Sequence, residues 1–162
     1  MAMRKVYRVL AYVVAAGVVV QAMVIVWAVA GLAHWIDSGG VADKASLESA
    51  VSPFPEAVGL LVHDINGSMV IPFAALALLV VSFFVHARGA IRWAVIVFVL
   101  TAVQAPLGYL GFEIPAIGAL HGLNALALFT TALVAARRRL VSTRRAEAET
   151  KPVEAEKASP LV

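Results

Sequence analysis

Four long stretches of this chain contain no Asp, Glu, Lys or Arg. They are Val9 to Ile36, Ile65 to Ala87, Trp93 to Phe112 and Ile114 to Ala136. A helix rises about 1.5 Å per residue, so roughly 20 apolar residues cross a hydrocarbon core of about 30 Å. Each of the four is long enough. Backbone in lipid must satisfy its own hydrogen bonds, which makes each crossing a helix. Of the 162 residues, 62% are apolar and 14% charged, against about a quarter charged in soluble domains. That composition excludes an ordinary soluble domain and a disordered chain. The absence of Cys excludes a disulfide scaffold, thiol catalysis, iron–sulfur ligation and Cys-based zinc sites.

The expected fold is therefore all-α: a four-helix transmembrane bundle, up-down-up-down, over residues 1–140. The spans are expected at about 9–36, 58–86, 92–111 and 114–137. Residues 141–162, rich in Glu, Lys, Arg, Ala and Pro, read as a disordered cytoplasmic tail. The first span is about twice the usual 7–15-residue core of a signal peptide, and reads as a retained helix.

Charge sets the orientation. With four alternating crossings, 12 of the 13 Lys and Arg residues fall on one side, and only Lys44 falls on the other. That other side carries Asp37, Asp43, Glu48, Glu56, Asp64 and Glu113. The positive-inside rule then puts both termini in the cytoplasm of an integral membrane protein; the membrane expected is a bacterial plasma membrane. The basic clusters serve as topology determinants that also touch anionic lipid. The net charge of +3 is thereby accounted for, and no nucleic-acid partner is expected. The first outer loop is long and polar. Within it Ser46 is expected to cap a short helix, and Ser52-Pro53-Phe54-Pro55 to break the chain before the second span.

Polar residues inside the spans carry the functional question. His63-Asp64-Ile65-Asn66-Gly67 opens the second span, and His121-Gly122-Leu123-Asn124-Ala125 lies in the fourth. Both read H-x-x-N-small. Positions i and i+3 share a helix face, so each His has an Asn beside it. Gly67 leaves room for a close approach to the backbone. Val20-Gln21-Ala22 and Val103-Gln104-Ala105 suggest that a two-helix unit has been duplicated. A pair of neutral imidazoles on facing helices suits the axial positions of a haem iron. Asn66, Asn124, Gln21, Gln104 or a backbone carbonyl would then accept the second ring N–H. His63 and His121 are thus the candidate metal ligands, and haem b the candidate cofactor. The plain alternative is that His63 and His121 merely hydrogen-bond across the bundle, or sit wetted near the outer interface. His34 and His86 read as interfacial, and Asp64 and Glu113 as solvated. Trp27, Trp35 and Trp93 read as membrane-interface anchors or packing residues.

Spans three and four carry a resemblance. Gln104-Ala105-Pro106-Leu107-Gly108, a short turn, then Leu120-His121 and Asn124-Ala125, resemble the closing helix pair in each half of the haem A synthase family. His63 followed by Gly67 is similar to that family's second-helix H-x-x-x-G. Residues 9–140 thus resemble one four-helix half of the eight-helix enzyme, in the manner of small single-bundle actinobacterial-type membrane proteins. Leu60 stands where the family has Glu, and Asp64 where Arg is common. The resemblance implies haem binding, with His63 and His121 axial, and a homodimer would rebuild an eight-helix assembly. Three functions remain open at this point. They are a b-type cytochrome or haem carrier, a cofactor-free subunit of a larger membrane complex, and a quinone-reactive protein using His121, Gln104 and Glu113.

Overall fold

The computed structural model describes residues 2–47 and 52–138, so the expected tail lies outside the described residues. It is helical, and four of its rods are long and apolar enough to cross a membrane. The first rod, α1 (Ala2–Asp37), is one unbroken helix. It stops where Gly39 takes φ 98°, and the Gly40 N–H closes the last turn on the Trp35 carbonyl at 2.9 Å. A short α2 (Lys44–Leu47) follows. Its cap is Asp43 rather than the expected Ser46. The Asp43 carboxylate accepts the Ser46 N–H at 2.7 Å, and the Ser46 hydroxyl accepts the Asp43 N–H at 3.1 Å. This is a reciprocal capping box with Ser46 at its far end. Phe54 stacks on Trp35, with ring centroids 5.6 Å apart, which ties the loop to the end of α1.

The second rod is segmented. A 3-10 turn (Pro55–Ala57) leads into α3 (Val58–Ile65), then a π-turn (Asn66–Val70), then α4 (Ile71–Ser82). Pro72 explains the π-turn: it lacks an N–H and its ring crowds the carbonyl four residues back, so the preceding turn widens. The Ser68 hydroxyl donates to the Asp64 carbonyl at 2.7 Å, satisfying a backbone acceptor at this irregular turn. The rod ends at Ser82, a turn short of the expected 86. A connection containing Gly89 at φ 81° leads to α5 (Ala90–Glu113). Pro115 then starts α6 (Pro115–Arg137), its ring-fixed φ suited to a first helical turn.

The rods form a ring in which α1 and α5 each lie between α4 and α6. The second and fourth crossings therefore face each other diagonally. The buried core lies toward the chain ends and is built of Tyr7, Ala11, Val14, Val18, Ala75, Leu78, Ala94, Val97, Leu128 and Ala132. Small side chains there let the helices approach closely. The Tyr7 hydroxyl donates to the Ala90 carbonyl at 3.0 Å, and the Arg8 Nε donates to the Ala136 carbonyl at 3.0 Å. These two bonds place the start of α1 beside the start of α5 and the end of α6. Beyond Val18 and Leu128 the inward stripe is mostly half-buried. In this half, away from the chain ends, α3 packs mainly on α1, through Gly59. The α5–α6 pair crosses where Gly111 meets Gly118. Phe73, Tyr109 and Phe112 point outward, 69–89% exposed, an arrangement suited to lipid rather than water.

Candidate functional site

At the outer edge of the packed core two polar triads meet, and they repeat each other. In the first, the Asn66 amide donates to the Gly17 carbonyl at 2.9 Å and to the Gln21 Oε1 at 3.1 Å. In the second, the Asn124 amide donates to the Leu100 carbonyl at 2.9 Å and to the Gln104 Oε1. Each Asn bonds a Gln side chain and the carbonyl one helical turn before that Gln. One sequence offset carries Gly17 and Gln21 onto Leu100 and Gln104, and a second carries His63 and Asn66 onto His121 and Asn124. The hydrogen bonds thus support the duplicated two-helix unit.

The imidazoles follow the same rule. The His121 Nδ1 lies 3.0 Å from the Gln104 carbonyl oxygen, and the His63 Nδ1 lies 3.4 Å from the Gln21 carbonyl oxygen. A carbonyl only accepts, so Nδ1 carries the proton in each ring and Nε2 presents its lone pair. The ring centroids are 6.2 Å apart with planes inclined at 47°. The halves differ at one atom. The His121 Nε2 accepts from the Gln104 amide at 3.1 Å, and that amide also donates to the His121 carbonyl at 3.1 Å. No such bond engages the His63 Nε2 among the described residues.

Counting to the nearest arginine puts the two His at depths differing by roughly 13 Å. The fold removes most of that difference. The second rod stops at Ser82, roughly five turns past His63, while α6 runs on for between four and five turns past His121 to Arg137. The π-turn absorbs part of the remainder, since its wider turns rise less per residue.

All seven sequence-derived residues converge here: His63, His121, Asn66, Asn124, Gln21, Gln104 and Gly67. Gly67 serves the network itself, since a Cβ there would collide with the Gln21 amide. Gly108, present in the Gln104–Gly108 motif but not named among the site residues, belongs here too. A Cβ on it would stand 3.2 Å from the His121 ring, so its bare backbone makes room for the imidazole. Its position one turn after Gln104 was the available signal. The carbonyls of Gly17 and Leu100 were missed because any residue offers one. His34, His86, Asp64 and Glu113 are exposed. Among the described residues no group of three or more His, Cys, Asp or Glu could hold a metal ion.

An axial pair needs less than such a group, because a porphyrin supplies four equatorial nitrogens. Metal–imidazole bonds are about 2.0–2.1 Å. Two rings on one metal then have centroids roughly 6 Å apart, once about 1 Å from nitrogen to ring centre is added on each side. The donor type, the tautomer and the ring spacing suit that role, with the His121 Nε2 engaged by the Gln104 amide. No family model, curated protein or solved structure matches this chain.

Proposed function

We propose that this protein binds haem within the membrane, with His63 and His121 as axial ligands, as a b-type cytochrome or haem carrier. The observation behind the proposal is the paired geometry: imidazoles from diagonal rods, 6.2 Å apart, each with Nδ1 turned to a Gln carbonyl. A carbonyl partner on Nδ1 fixes the tautomer and raises ligand basicity. When bound, the haem would supply one-electron chemistry. The chain's own part would be to offer the His63 and His121 Nε2 lone pairs as ligands, the latter once the Gln104 amide is displaced. The proposal includes bundle ends bearing Arg4, Arg88 and Arg137 on the cytoplasmic side of a bacterial plasma membrane, and a homodimer or larger membrane complex.

A second reading rests on a separate observation. Both Asn amides and the Gln104 amide have partners within the protein. Such a network also works as interhelical glue in a cofactor-free subunit. Absorption spectroscopy of detergent-purified protein, expressed with ample haem precursor, separates the two. Haem binding predicts a Soret band and the sharp visible bands of six-coordinate low-spin haem. Those six-coordinate features should disappear in His63→Ala and in His121→Ala. A colourless wild-type protein that elutes as a single folded species would leave the glue reading standing.

A further inference from the structure

Nothing in the sequence after Ser82 calls for a helix to stop. Phe83-Phe84-Val85-His86-Ala87 contains neither Pro nor Gly, and Gly89 lies well past the last helical residue. The chain nevertheless turns there. Val85 is buried in the core, Phe83 and Phe84 are each 58% exposed, and His86 takes φ 48°. A left-handed residue other than glycine is uncommon, and persists where its surroundings fix it. The His86 Nδ1 donates to the Phe84 carbonyl at 2.9 Å, which holds the bend.

Between this bend and the first turn of α1 lies a cavity of about 420 Å³, lined by Ala2, Met3, Arg4, Phe84, Val85 and His86. Arg4 is half-buried in its wall. The cavity sits at the basic end of the bundle, close in sequence to Lys5, Arg8 and Arg88. Beside it Phe83, Phe84, Met3 and Val6 present exposed apolar surface. A hollow with one arginine in its wall, at the end of a rod and with greasy side chains next to it, matches an amphiphile with an anionic head and apolar tails.

We propose that this hollow seats the phosphate of an anionic phospholipid headgroup, with Arg4 as its principal donor. A guanidinium presents two parallel N–H bonds to phosphate oxygens. Basic pockets at membrane level are suited to lipid headgroups. The acyl chains would lie along Phe83, Phe84 and Val6. This proposal is independent of haem.

The test uses the full-length protein, delipidated in detergent and examined by native mass spectrometry. Dioleoyl phosphatidylglycerol or dioleoyl phosphatidylcholine is added. Inorganic phosphate is added in a parallel thermal-shift arm. The expected result is one phosphatidylglycerol retained at least tenfold over phosphatidylcholine. Arg4→Gln should cut that retention fivefold or more, and Arg4→Lys should restore part of it. Arg92→Gln removes a like charge outside the hollow and should change retention less than twofold. If Arg4→Gln fails to fold, phenylglyoxal labelling of the wild type replaces it, with phosphatidylglycerol protecting Arg4 and not Arg92. Equal retention of the two lipids, equal losses in the Arg4 and Arg92 variants, or equal protection would overturn the proposal. Arg4-dependent stabilisation by inorganic phosphate without lipid preference would also overturn it, in favour of a soluble anion.

Discussion

His63 and His121 differ in what meets their Nε2, and that difference is testable. The Gln104 amide occupies the His121 lone pair, so an incoming metal must displace it. In Gln104→Leu that competition is gone. Under the haem reading, occupancy by pyridine haemochrome assay should match or exceed wild type, while cofactor-free protein loses about 1 kcal/mol and melts a few degrees lower. Loss of haem as complete as in His121→Ala would show instead that Gln104 positions the ligand. Asn66→Leu and Asn124→Leu should each cost about 1 kcal/mol, since each leaves a Gln oxygen without its donor and removes the second bond to a helix carbonyl. Thermal denaturation in detergent measures both. The His, Asn and Gln were legible in the sequence because polar side chains are conspicuous in an apolar run and these recur in order. Their bonding partners were not legible where the partner is backbone.

Among the elements, the π-turn sets the phase of the second rod. Asn66 and Ile71 both face inward, yet an α-helix of 3.6 residues per turn would set them about 140° apart. Deleting Met69, which is 56% exposed, would convert the π-turn to an α-turn and keep both faces inward. The deletion variant should fold and melt within a few degrees of wild type, whereas deleting Ala127 from the regular α6 should prevent folding. Fluorescence-detected size-exclusion chromatography distinguishes the two. Gly59→Val should lose about 1–3 kcal/mol by thermal denaturation, because its Cβ position lies 2.5 Å from the Val24 carbonyl oxygen, and backbone cannot give way there. In the loop after α1, the Ser46 N–H and hydroxyl hold the Asp43 carboxyl below its ordinary 3.8. A lowered folded pKa means the α2 cap is intact at neutral pH and is lost as pH falls through that value. The Ser46 amide resonance should shift in that acidic range, and should not do so in Asp43→Ala. Pro72 stands in the sequence inside the second span, where a proline disturbs a helix. That the distortion would be a π-turn was not legible there, since one proline can kink, break or widen a helix.

For the whole molecule, the four crossings follow from length and charge alone, because lipid leaves a backbone few choices. The shortened second rod did not follow, since its last residues are as apolar as those in the helix before them. Proximity of the start of α1 to the end of α6 places residues 2 and 138 at the same end of the bundle. The chain has no native Cys, so single Cys reporters at 2 and 138 give a clean readout. Both should react with a membrane-impermeant maleimide in inverted vesicles and neither in right-side-out cells.

The repeated hydrogen-bond pattern has one more consequence. Two facing hairpins that are near copies of each other would have little means of telling the two faces of a flat guest apart. A porphyrin with unlike edges would seat in two orientations related by a flip about the axis through its in-plane meso carbons. Ferric spectra should then show doubled hyperfine-shifted methyl resonances, in a ratio reporting how far the two hairpins have diverged.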